Sequence, residues 1–75
     1  MEFGRGVPVG DDGVLFVFTS TCKTYRFFKV VDVCRVTFNV QRNSLDAGWV
    51  NIGKAKTRHQ AEMKCMLNQR RNANV

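Results

Sequence analysis

The segment Gly53 to Leu67, GKAKTRHQAEMKCML, constrains the fold more than any other, because a helix start can be read there residue by residue. Thr57 stands three positions before Gln60 and opens a run free of Gly, Pro and β-branched residues. At this spacing the Thr hydroxyl accepts from the N–H of Gln60 while the Gln amide reaches back to the cap, so two unpaired donors are satisfied. The helix is expected from Thr57 to about Arg70, with Ala61, Cys65 and Leu67 turned inward and Met63 and Met66 filling the edges of the stripe. The chain before it carries strand and turn signals, so the helix must lie on a sheet.

That sheet is read from the apolar patterning. Val14 to Thr19, VLFVFT, is apolar on both faces of a strand, with Val14, Phe16 and Phe18 on one side. Ser20 to Thr24 reads as a hairpin connection without a glycine. Tyr25 to Gln41 reads as two strands, roughly Tyr25 to Val31 and Cys34 to Gln41, joined tightly around Asp32; one long strand bent by a bulge is the alternative. In the second half Cys34, Val36, Phe38 and Val40 alternate with Arg35, Thr37, Asn39 and Gln41, giving one core face and one wet face. Arg42 to Ala47 is expected as a loop, Gly48 to Ile52 as a last short strand, and Gly53 as the turn toward the helix.

The predicted architecture is α+β, an antiparallel sheet of three to four strands packed on one C-terminal helix. Residues 14–71 form the single domain, 1–13 a flexible N-terminal arm rich in glycine, and 72–75 a frayed tail. Val36, Phe38, Val40, Val50, Ile52, Ala61 and Cys65 are expected to be the most buried. A chain of 75 residues leaves no room for a second domain, and 44% hydrophobic residues suffice for a core.

Twelve Lys and Arg against six Asp and Glu give a net charge of +6, which points to a polyanionic partner. Lys54, Lys56, Arg58, His59 and Lys64 cluster around the helix start, where the macrodipole favours acids by ~0.3–1 kcal/mol each. A phosphate from outside would relieve that mismatch, so these five are the candidate nucleic-acid contacts. Thr37 and Asn39 join them if the wet face meets the partner. Val14, Phe16 and Phe18 are candidate protein-interaction residues, because a doubly apolar edge strand can pair with a second copy or another protein.

Cys22, Cys34 and Cys65 are odd in number and form no CxxC pair, so the expected compartment is intracellular, cytoplasmic or nuclear. With His59 they match no usual zinc-finger spacing, and no metal or cofactor is expected. Membrane spans are not expected, since the apolar runs fall far short of about 20 residues. A lone His59 with no adjacent carboxylates or nucleophile provides nothing from which to assemble a catalytic set, so no catalytic residue is assigned.

From Val50 onward the chain resembles the C-terminal half of a double-stranded-RNA-binding domain. Gly53 matches the family's glycine, Thr57 its cap, Arg58 and His59 its paired lysines, Ala61 its first packed alanine, and Cys65 and Met66 its later small pair. The resemblance implies a three-stranded antiparallel sheet and a helix N-terminus set against duplex RNA phosphates, with RNA favoured over DNA. That family carries an N-terminal helix where this chain has VLFVFT, and a lysine where it has Glu62. The strand followed by IGKAKTRHQAE is similar also to plant-type AP2 and integrase N-terminal domains, which lay a sheet in the DNA major groove. Degenerate members of the RNA-binding family serve in dimerisation, so an interaction module remains the alternative.

Overall fold

A computed structural model describes residues 2–73. Five strands, β1 (Val7–Pro8), β2 (Leu15–Thr19), β3 (Tyr25–Val31), β4 (Val36–Ser44) and β5 (Gly48–Ala55), precede one helix, α1 (Arg58–Ala73). The strands form one antiparallel meander in the order β1-β2-β3-β4-β5. Each neighbour in sequence is a neighbour in space, the arrangement that short hairpin connections enforce.

The β2–β3 and β3–β4 hairpins close without a glycine. Between β2 and β3 the N–H of Lys23 donates to the Ser20 carbonyl at 2.9 Å, and Lys23 takes φ 59°, a left-handed conformation more often held by Gly or Asn. Ser20, 2% exposed, accepts at its hydroxyl from the N–H of Tyr25 at 3.1 Å, so its burial leaves no orphaned oxygen. Between β3 and β4 the N–H of Asp32 donates to the Arg35 carbonyl at 2.9 Å, while the Asp32 carboxylate accepts from the N–H of Val33 at 2.7 Å.

The core lies on one face of the sheet, beneath α1. Phe27 is fully buried, with Phe3, Phe18 and Phe38 around it at ring-centroid distances of 4.9, 5.0 and 5.8 Å. Tyr25, Val40, Ala55, Ala61 and Cys65 complete the cluster. The small residues Ala61 and Cys65, both 0% exposed, let the helix backbone approach the sheet. Thr57 caps α1 as expected: its hydroxyl accepts from the N–H of Gln60 at 3.1 Å. The reciprocal arm reaches one residue further, from the Gln60 amide oxygen to the N–H of Lys56 at 3.2 Å.

Several expectations are corrected. Residues 2–9 do not stand apart as an arm: Val7 and Pro8 pair with Val17 and Phe16, Phe3 bridges to Ser20, and the N–H of Gly4 reaches the Thr19 carbonyl at 3.3 Å. Extended backbone opposite an apolar strand gains a hydrogen-bonded partner despite its glycines. The sheet therefore has one strand more than expected, and β2 is an interior strand. Of its proposed interaction residues only Val14 is exposed; Phe18 is buried and Phe16 packs against the core.

Gly53 does not turn the chain. β5 continues to Ala55, and β4 runs on through Ser44 across half of the expected loop. Val40 pairs with Gly53 and Gln41 with Asn51, so Ile52 is the extra residue of a β-bulge. Ile52 is only partly buried, and Val50, on this edge strand, is 42% exposed. Val36, the first residue of β4, is 39% exposed. Leu67 is exposed as well, because the inward line follows the 3.6-residue period from Ala61 through Cys65 to Asn68, and Leu67, one residue before Asn68, is rotated away from it. Asn68 accepts at its amide oxygen from the Tyr25 hydroxyl at 2.8 Å, tying the helix to the start of β3. Residues 74–75 of the expected tail lie outside the described residues, and the helix extends through Ala73.

Candidate nucleic-acid interface

Two surfaces meet at the C-terminal end of β5. The first is an open cleft of about 920 Å³ between the helix and the β4–β5 hairpin, lined by Arg35, Lys54, Lys56 and Lys64 with Gln60 and Met63. Its cations come from the loop before β4, the end of β5, the cap segment and the second turn of α1. The stem of Lys64 lies over Gly53, where an added Cβ would meet the Lys64 Cδ at 3.4 Å. The first turn of α1 contains no acid, and its Arg58 and His59 N–H groups have no intrahelical acceptor.

The cations expected at this helix start therefore divide. Lys54, Lys56 and Lys64 line the cleft together; Arg58 and His59 do not. The Arg58 Nε sits 3.5 Å from Glu62 Oε1, and its guanidinium carbon lies 4.9 Å from the Phe18 ring centroid, which takes the charge over the core edge. His59 is exposed on the helix surface. Arg35 completes the cleft; only the closed β3–β4 loop, not sequence proximity, brings it there.

The second surface is the face of the sheet that no element covers. The register aligns Leu15 with Val30, Val17 with Phe28, Asn39 with Lys54, and Gln41 with Asn51 on this side. Arg26 stands over two rings, its guanidinium carbon 4.9 Å from Phe28 and 4.0 Å from Trp49. Its Nε donates to the Gln41 amide oxygen at 2.7 Å, and the Gln41 amide nitrogen donates to the Asn51 amide oxygen at 2.9 Å. Partial burial lowers the Arg26 pKa from its usual value. The bulge at Ile52 places Lys54 here: in an unbroken strand Asn51 and Gly53 would share a face, whereas the extra residue brings Lys54 into phase with Asn51 and Trp49. Lys54 lines both the cleft and a smaller hollow of about 560 Å³ on this face.

All three cysteines are unpaired, and their environments differ sharply. The Ser20 hydroxyl, 3.4 Å from the Cys22 sulfur, and then groups of Thr24 hold the Cys22 thiol down at about 7. Burial, followed by the charge of Glu62, pushes the Cys65 thiol up to about 11. Iodoacetamide at pH 7.5 is expected to label Cys22 rapidly and leave Cys65 unlabelled until denaturant is added. The Cys22 rate should rise with pH through a midpoint near 7, and Ser20→Ala should move that midpoint upward; peptide mass spectrometry over pH 5–9 reads both.

Among the described residues no three His, Cys, Asp or Glu side chains gather as a metal site, and no helix is long and apolar enough to cross a membrane. Compared with models of known families, with curated proteins and with solved structures, the chain matches none.

Proposed function

We propose that this chain is a nucleic-acid-binding domain that grips the phosphodiester backbone in the cleft between α1 and the β4–β5 hairpin. One observation carries the reading: four cations from separate parts of the fold line one cleft that has no carboxylate among its lining residues. The ion pair near the helix start, Arg58 with Glu62, lies outside that lining. The open N–H groups of the first helical turn add to the attraction for an anion. RNA is favoured on the resemblance of the segment from Val50 onward, and the unpaired cysteines support a site of action in the cytoplasm or nucleus.

Phosphate contacts carry no base information, so binding should vary little with sequence and strongly with salt. For four contacts the logarithm of affinity should fall against the logarithm of salt with a slope of about −3.6 on duplex DNA and about −2.8 on single strands. Fluorescence anisotropy with duplex RNA, duplex DNA and single-stranded RNA between 50 and 300 mM salt measures it. No binding to any of the three at low salt would end the proposal.

A further inference from the structure

The cleft accounts for phosphate contacts, but not for the uncovered face of the sheet. By register the side chains on that face run from Val7 of β1 and Val17 of β2, across Arg26, Phe28 and Val30 of β3, to Asn39 of β4 and Lys54 of β5. None is acidic in a chain with six acids, and two, Arg26 and Lys54, are cationic. An apolar strip formed by Leu15, Val17, Phe28 and Val30 borders an amide-rich strip formed by Asn39, Gln41 and Asn51. Arg26 of β3 links the Phe28 ring of the apolar strip to the Trp49 ring on β5, and Gln41 holds it in place.

We propose that this face binds unpaired nucleobases, so that the preferred ligand is a single strand whose backbone runs through the cleft while its bases lie on the sheet. The inference rests on the nucleic-acid reading of the cleft and names the form of nucleic acid it takes. Charge complementarity favours this occupant: a polyanion meets a face without acids, adjoining a cleft lined by cations. Guanidinium planes and aromatic rings are the groups on which splayed bases stack, and a four-stranded width of about 14 Å offers room for about two or three bases. Among the described residues the Asn39 amide makes no hydrogen bond, so its donor and acceptor are free for a base edge or a 2′-hydroxyl. Lys54 joins the surfaces, because the bulge sets it in phase with the amide strip while it still lines the cleft. Bases in a duplex are stacked on one another and cannot reach this array, which gives the preference for a single strand.

Trp49 is the one tryptophan, so its emission reports on this face directly. The probes are eight-nucleotide oligouridylate, oligothymidylate of the same length, an abasic strand of the same length, and a duplex of eight base pairs. The expected result is quenching of Trp49 emission by either single strand, with binding at least about tenfold tighter than to the abasic strand or the duplex. Phe28→Ala should weaken single-strand binding about tenfold and leave abasic binding unchanged, circular dichroism confirming the fold. The wild-type comparison of base-bearing and abasic strands stands even if that variant does not fold. Equal affinity for both strands without quenching would overturn this inference and leave the cleft reading intact. Failure of every probe would overturn both. If sedimentation shows a dimer that Phe28→Ala dissociates, and no oligonucleotide quenches Trp49, the face belongs to a second copy and the inference falls.

Discussion

Phe27→Ala is expected to remove most of the stability of the domain, with a loss of about 3–5 kcal/mol. A chain of this size has roughly 4–11 kcal/mol to lose, at about 0.05–0.15 kcal/mol per residue. Phe27 is 0% exposed, and three other rings lie within 6 Å of its centroid, so its removal opens a cavity whose walls are themselves large and rigid. Such walls collapse poorly, which sets the cost toward the upper end. One of those rings, Phe3, belongs to the N-terminal segment, so the variant should also loosen residues 2–9 from β2. Urea denaturation should show a large fall in midpoint with little change in slope. Leu67→Ala, at a position 49% exposed, should change the unfolding free energy by no more than about 0.5 kcal/mol. A cost below 1 kcal/mol for Phe27→Ala would mean that the core is not centred on that ring.

The largest expected effect on binding comes from reversing three cleft charges together, Lys54→Glu, Lys56→Glu and Lys64→Glu. Non-specific complexes have dissociation constants of roughly 10⁻⁴–10⁻⁶ M, supplied mainly by phosphate contacts. Spread over the four cleft cations, that affinity amounts to at least about a factor of ten for each. Loss of three contacts should therefore weaken binding about a thousandfold, and repulsion by the new carboxylates adds to it. Lys54 and Lys56 are exposed, and Lys64 packs by its stem on Gly53, so the fold should survive; thermal melting checks this. Arg58→Gln should cost no more than about a few-fold, since its guanidinium is occupied by Glu62 and the Phe18 ring. If Arg58→Gln proves as damaging as the triple reversal, the anion site is the exposed helix flank rather than the cleft.

The legible parts of this fold are those whose signals are local. Tyr25–Val31 is dense in β-branched and aromatic residues, and both its ends fall where the sequence places them. The Thr57–Gln60 spacing specifies a hydrogen bond between near neighbours, and that bond forms. The alternation around Phe38 and Val40 correctly assigns both to the core. What the pattern misses depends on partners distant in sequence. Glycines before residue 11 read as irregular, yet that segment pairs because β2 offers it an edge. Gly53 reads as a turn, although a glycine inside a strand pattern also marks a bulge, and the choice is made by pairing with Val40. The site divides in the same way: Lys54, Lys56 and Lys64 are near in sequence and meet in the cleft, whereas Arg35 reaches it only through the β3–β4 hairpin. Arg26 joins Trp49, 23 residues away, only through a sheet register that no local spacing encodes.

The bulge has a further consequence at the margin of the sheet. An open sheet can grow by hydrogen bonding at either outer strand, the route by which folded chains polymerise. Here one border is only two residues long and contains Pro8, which lacks an N–H to offer a newcomer. The other, β5, is eight residues long, but the irregularity at Ile52 breaks its spacing midway and Lys54 stands beside the break. Both borders thus resist the addition of a sixth strand, which turns recognition away from the backbone ladder and toward the side chains presented on the broad surface.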